Sequence, residues 1–337
     1  MMAIEEISFL IPGNYADDQP QQGLEHTLQL IRHGEELGYD IAWVRQRHLE
    51  RGISSAATFL AAASQRTRRI GLGTAVIQMG YENPFRLAED LSTVDVLSGG
   101  RLQVGLSSGA PPFGELLGSR LFDADPAAID FSHQRVQRLR DNLRGELLGD
   151  DDTLVDSPAG RQRPRLHPHA PGLEQRLWYG GGSLRSAEWA GSNGFHLLIG
   201  NLTRGEHSDD FFSAQQQQLD RFHTSWQGDT PPRVALGRVI VPLDSADAAS
   251  RRHYLAYAAS RHARTLAPQG ERRTLYARDL VGSSEQILAW LAADPILPQV
   301  SSLRLELPYD FSPEAYLQIL SDFVHHIAPA LGWQPRR

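Results

Sequence analysis

RTRRIGLGTAVIQMGYENPFRLAEDLSTVDVLSGGRLQVGLSSG, residues 66–109, is the stretch whose reading decides the fold. RIGLGTAVIQ (69–78) is a short apolar run of strand length. PFRLAEDLSTVDVLSGG (84–100) opens on Pro84, which suits the first helical turn, and closes on glycines, which suit a helix end. RLQVGLSS (101–108) is a second apolar run. Strand, helix, strand over this length predicts a βαβ unit with parallel strands.

The pattern repeats outward in both directions. ISFLIP (7–12) precedes the helical GLEHTLQLIRHGEELG (23–38), where Leu24, Leu28, Ile31 and Leu37 share a face and Gly38 is a C-terminal stop. DIAWVR (40–45) precedes AATFLAAASQRT (56–67). RLWYGG (176–181), GFHLLIGN (194–201), RVALGRVIVPL (233–243) and SLRLELP (302–308) complete eight predicted strands. Eight βα units predict one closed (β/α)8 TIM barrel over 1–337, with the site at the C-terminal ends of its strands. The rival is an open doubly wound sheet, but FLIPGNYADDQ after the first strand has only Gly13 and no dinucleotide fingerprint. Insertions are expected after the fourth strand (110–175) and the sixth (203–232). The latter contains FFSAQQQQLDRF, read as a solvated helix or a lid.

Composition narrows the function. A net charge of −7 without a Lys/Arg-rich stripe speaks against a nucleic-acid partner. The absence of cysteine excludes disulfides and thiolate chemistry. AATFLAAA (56–63) is too short to span a bilayer and the N-terminus lacks a signal-peptide pattern, so a soluble, cytoplasmic protein with no membrane partner is expected. His167 and His169, like His325 and His326, have no ligand partners at metal spacing, so no metal is expected. Neither a phosphate-binding Gly-Lys-Ser/Thr loop nor a serine nucleophile elbow is present. Arg101 reads as a structural residue at a strand start.

WYGGGSLRSAEWAG (178–191) sets three glycines before a helix start with Ser183 as its N-cap. A helix N-terminus stabilises an anion. Ser186 stands where a capping box would have Glu or Gln, so the free N–H groups are expected to be open to a phosphate. The plain alternative is a glycine-rich turn with a capping serine, and the residues alone leave both open.

Taken together, HGEELGYDIAWVRQRH (33–48), the 66–109 stretch, RLWYGGGSLRSAEWAGSNGF (176–195), LVGSSEQILAWLAADP (280–295) and FVHHIAPAL (323–331) resemble the bacterial-luciferase-like flavin monooxygenase superfamily. The nearest resemblance is to a branch of FMN-dependent monooxygenases with ENP…AED…LSGGRL and RLW. It implies a (β/α)8 barrel and FMN. Gly182, Ser183 and Ser186, with Gly181 and Arg185 beside them, fall where the family holds the flavin 5′-phosphate. Ala75–Val76 falls at the family's non-proline cis peptide beneath the flavin ring, and the small residues at 73–75 fit a ring close to the backbone. Ser107 and Ser108 fall at the pyrimidine and ribityl side. Ser108 replaces luciferase's phosphate-pairing arginine, which leaves two expectations, weaker binding or compensation by Arg185.

The largest departure is Gln46-Arg47-His48 in place of Glu-His-His. Arg47 and His48 are the catalytic candidates, but arginine stays protonated and is no general base; it suits a carboxylate substrate or an anionic flavin. His48 points to the opposite side of the strand from Arg47 and taken alone reads as a hydrogen-bonded structural residue. Asn201 replaces an aromatic residue of the substrate wall. The resemblance implies a homodimer that uses reduced FMN, supplied by a separate NAD(P)H:flavin reductase, and O2 on a small organic substrate. Deazaflavin-dependent hydride transfer, or a flavin-binding protein that has lost catalysis, are the alternatives.

Overall fold

The computed structural model describes residues 4–335. Eight strands close a barrel: β1 (Glu6–Ile11), β2 (Ile41–Val44), β3 (Gly71–Gln78), β4 (Leu102–Ser107), β5 (Leu177–Gly180), β6 (His196–Ile199), β7 (Val234–Arg238) and β8 (Ser302–Glu306). Each pairs in parallel with the next, and β8 returns to β1 with Phe9 opposite Leu305. All eight predicted strands are present.

Helices α1 (Pro20–Leu37), α2 (Ala56–Ser64), α3 (Pro84–Ser98), α4 (His133–Leu143), α5 (Leu184–Ser192), α6 (Phe211–Thr224), α7 (Ala248–His262), α8 (Ser284–Ala292) and α9 (Pro313–Asp322) flank the strands. Their limits follow local chemistry. Asn83 caps α3 through hydrogen bonds from the N–H groups of Phe85 and Arg86, and Gly38 ends α1 at φ +89°, a conformation that costs glycine nothing. Arg101 ties the N-terminal end of the barrel together by donating to the carbonyls of Ser64, Thr67, Ile70 and Ser98.

The barrel interior is filled by Leu10, Ile41, Trp43, Trp178, Leu198 and Ala235. Trp43 and Trp178 meet edge to face, with centroids 5.6 Å apart. Gly73 is small for this reason: a Cβ there would lie 2.2 Å from the Trp43 indole. Its smallness therefore serves tryptophan packing and not a cofactor ring. Thr74 is likewise committed, exchanging hydrogen bonds with the backbone of Gly105.

Three boundaries differ from the sequence reading. RVALGRVIVPL is two elements: β7 stays in the barrel, and Ile240–Pro242 pairs with Leu280–Gly282 outside it. The crossover after β6 runs over 200–233 and holds the short strand Leu202–Arg204 and α6, and a longer one, which the sequence reading did not mark, follows β7 over 239–301. Residues 211–224 are not a lid. They form α6, and Gln215 and Gln218 are fully buried, donating to the carbonyls of Gly200 and Gly181. The glutamine run anchors the ends of β5 and β6. A polar composition hides this because buried amides are tolerated where their hydrogen bonds are made. Among the described residues, no helix is long and apolar enough to cross a membrane.

Candidate active site at the barrel mouth

At the C-terminal ends of the strands lies a cavity of about 460 Å³. Of the sequence candidates it gathers Arg47, Ala75, Val76, Gly181, Gly182 and Asn201. A cavity of about 620 Å³ lies between α1 and the start of α9, and it contains none of them.

The Ala75–Val76 peptide is cis, and the β3–β4 register shifts there, between Thr74 and Ile77. Both side chains are partly exposed to the cavity. Across it, β5 runs into the three glycines. A Cβ at Gly180 would lie 2.7 Å from Val76 Cγ1, and one at Gly181 would lie 2.5 Å from Ser186 Cβ. Packing accounts for these two. Gly182 differs, since a Cβ there would meet nothing closer than 3.8 Å.

The α5 N-terminus is not left open. Ser183 Oγ accepts from the Ser186 N–H at 3.1 Å and donates to Ser186 Oγ at 2.8 Å. The Leu184 N–H donates to Glu206 Oε1 at 2.7 Å. This corrects the expectation of unfilled donors: the acidic cap comes from the loop after β6, not from position 186. Ser183, Arg185 and Ser186 stand just behind the cavity wall rather than lining it, and Arg185 is exposed. Ser107 ends β4 opposite Gln78, and Ser108 is bound through its Oγ and N–H to the Tyr179 hydroxyl at 2.7 and 3.2 Å. Neither lines the cavity.

Arg47 and His48 part company. Arg47 Nη2 donates to the Tyr309 hydroxyl at 3.2 Å. Burial pulls its pKa down, but Tyr309 and the charge of Glu50 more than offset this, so the net shift is upward. Arg47 is a fixed cation. His48 lies outside the cavity lining, stacked on Tyr81 at 3.9 Å and hydrogen-bonded to Gln46 Nε2, and burial lowers its pKa.

The sequence reading missed most of the wall. Arg45, Arg261, Arg264, Arg304, Glu306 and Tyr309 all line the cavity. Arg304 Nη2 lies 3.3 Å from Glu306 Oε1, and Arg45 Nη2 lies 3.8 Å from Glu306 Oε2. SLRLELP carried a signal for two of them: charged residues two apart in an apolar strand share one face.

A family model described as luciferase-like monooxygenase matches residues 5–293. The 4-hydroxyprotoasukamycin monooxygenase of Streptomyces nodosus subsp. asukaensis is 36% identical over 31% of this chain and 29% of its own. The chain thus spans less than a third of this and of another curated relative. Among solved structures, the FMN complex of the oxygenating constituent of 3,6-diketocamphane monooxygenase from Pseudomonas putida superposes with TM-score 0.70. It is 15% identical and covers 97% of this chain and 99% of that one. The coenzyme F420-dependent tetrahydromethanopterin reductase of Methanopyrus kandleri superposes with TM-score 0.65, at 14% identity over 98% and 100%. At these identities the two structures speak to the fold, and the match over 5–293 speaks to descent: the chain belongs to the luciferase-like monooxygenase family.

Proposed function

We propose that the protein is an FMN-dependent monooxygenase that uses reduced FMN and O2 on a small organic substrate bound at the barrel mouth. The observation that carries this reading is Gly182. It lines the cavity beside the α5 N-terminus, with room that no protein side chain needs. Such a cradle fits a phosphate. Ser183, Ser186 and the α5 N-terminus would hold it once the Glu206 carboxylate gives up the Leu184 N–H, with Arg185 and Ser108 flanking, Gly181 beside it and Ala75–Val76 supporting the ring. Ser107 stands at the ribityl side. When bound, reduced FMN supplies the electrons for oxygen activation.

The chain's own residues orient and exclude. Arg47, fixed by Tyr309, holds an anionic group, and Asn201, 7% exposed, forms part of the substrate wall. His48 supports the Gln46–Glu82 contact (2.7 Å) behind the cavity. A separate NAD(P)H:flavin reductase partner, a homodimer, a cytoplasmic setting and a single domain over the whole chain belong to the same proposal. The test supplies FMN, NADH, a flavin reductase and isotopically labelled O2 to a panel of small acids and ketones. Label in an organic product supports the proposal. Reduction of a substrate by deazaflavin without oxygen would replace it; the Methanopyrus structure is named as coenzyme F420-dependent.

A further inference from the structure

The cavity is far more positive than the protein around it. The chain carries a net charge of −7, yet Arg45, Arg47, Arg261, Arg264 and Arg304 all line this one space. Glu306 faces Arg304 and Arg45. Asp279, behind the wall, pairs with Arg261 at 2.5 Å and Arg264 at 3.7 Å. Glu50 acts on Arg47 through its charge. One carboxylate, Glu306, therefore lines the cavity with five guanidinium groups, and Asp279 and Glu50 act on them from outside it.

The deficit is sharpest where burial is deepest. Arg304 is 4% exposed, and its Nε and Nη1 have no hydrogen-bond partner among the described residues. The same holds for the buried Nε atoms of Arg45 and Arg264. Buried charges are ordinarily paired and buried donors ordinarily bonded. The pKa of Arg304 is lowered, first by burial and further by Arg45, with Glu306 opposing.

The fold makes room for this arrangement. A Cβ at Gly200 would lie 2.7 Å from Glu306 Oε1, and one at Gly237 would lie 2.9 Å from Arg304 Nη2. Three of the guanidinium groups are braced on rings: Arg45 on Tyr309 at 5.4 Å, Arg261 on Tyr257 at 4.6 Å, and Arg264 on Tyr276 at 4.2 Å. A braced guanidinium is a preorganised fork for a planar oxyanion. Leu10, Leu198, Val239 and Leu307 supply apolar wall beside them.

We infer that the cavity selects an organic anion, a small substrate with an apolar body and an oxyanion group, carboxylate or phosphate, received by Arg304 and Arg45. The inference rests on the proposal that this cavity is the reaction site, but anion binding itself does not require the flavin.

The test is calorimetric titration of the flavin-free protein with phenylacetate, phenyl phosphate and the neutral phenylacetamide. One of the two anions should bind at least about tenfold more tightly than the amide and weaken with added salt. Which one wins identifies the head group. Arg304→Gln should abolish most of that preference. Because it leaves Glu306 less well paired, Arg45→Gln, at a side chain 22% exposed, provides a second variant, with Tm checked for both. Equal binding of acid, phosphate and amide, no binding of any probe, or full affinity in both folded variants overturns the inference. FMN is titrated in parallel. If FMN displaces phenylacetate and Arg304→Gln weakens FMN equally, the arginines serve the cofactor and the inference falls. If FMN never binds while anion selectivity stands, it is the functional proposal that fails.

Discussion

The Glu206 carboxylate accepts a 2.7 Å hydrogen bond from the Leu184 N–H, at the helix N-terminus where a cofactor phosphate is proposed to sit. A carboxylate and a phosphate compete for the same partial positive charge. Glu206→Gln should therefore act in opposite directions on two measurements. Thermal stability should fall slightly, by about 0.3–1 kcal/mol for a lost charge at a helix N-terminus. FMN affinity should rise by a similar free energy, roughly two- to fivefold. An affinity that falls together with stability would mean that Glu206 supports the site.

Gly181 and Gly182 should respond differently to one methyl group. Gly181→Ala would place Cβ 2.5 Å from Ser186 Cβ, an overpacking expected to cost about 1–3 kcal/mol. Gly182→Ala has space, and its φ lies outside the left-handed region. It should leave Tm unchanged or slightly raised while FMN binding weakens by about tenfold, ~1.4 kcal/mol. Unchanged FMN affinity in the folded Gly182→Ala protein would remove the phosphate from this position.

Arg47→Ala should lower turnover by at least about tenfold, ~1.4 kcal/mol of barrier, with FMN still bound. Arg47 lines the cavity but makes its hydrogen bond to Tyr309 and not to the glycine turn. Loss of FMN with unchanged turnover per bound flavin would contradict this placement.

His196 begins β6, buried between Trp178 and Trp226, and its Nδ1 accepts from the Arg233 N–H at 3.3 Å. Accepting requires the neutral ring. Burial, then the nearby Arg233 charge, lower its pKa from 6.5 to about 4. Between these values the unfolded chain binds a proton that the folded protein does not, so stability falls with acidification through that window. The loss reaches roughly 3 kcal/mol near pH 4, from about 1.4 kcal/mol per pH unit. Denaturant midpoints measured from pH 7 to 4 should show this slope, and His196→Gln should flatten it. An equal slope in that variant would assign the acid sensitivity to other groups.

The barrel was legible because each βα unit announces itself locally. Apolar runs, Pro84, Gly38 and Gly99 mark element ends without reference to the rest of the chain. Of the candidates in the 66–109 and 178–191 stretches, Ala75, Val76, Gly181 and Gly182 line the cavity, whereas Ser107, Ser108, Ser183, Arg185 and Ser186 do not. The arginine wall was not legible, because Arg261 and Arg264 come from the end of α7 and the short turn after it, in the excursion beyond β7, and no spacing links them to Arg45 or Arg304. Glu206 was invisible for the same reason: its partner, Leu184, is 22 positions away. The glutamines of α6 show the converse error, since polarity read one residue at a time does not reveal buried amides that bond to strand-end carbonyls.

The most direct measurement is a fluorescence titration of the purified protein with reduced FMN, oxidised FMN and deazaflavin, with Ser183→Ala beside wild type. Ser183 Oγ caps α5 by receiving the Ser186 N–H at 3.1 Å, so the variant is compared at a temperature where both proteins are folded, loss of the cap itself costing about 0.5–2 kcal/mol of stability. The account predicts that reduced FMN binds most tightly and that Ser183→Ala weakens it by about five- to tenfold, ~1–1.4 kcal/mol. No binding of any flavin, or binding indifferent to Ser183, would contradict it and leave the three glycines as a turn.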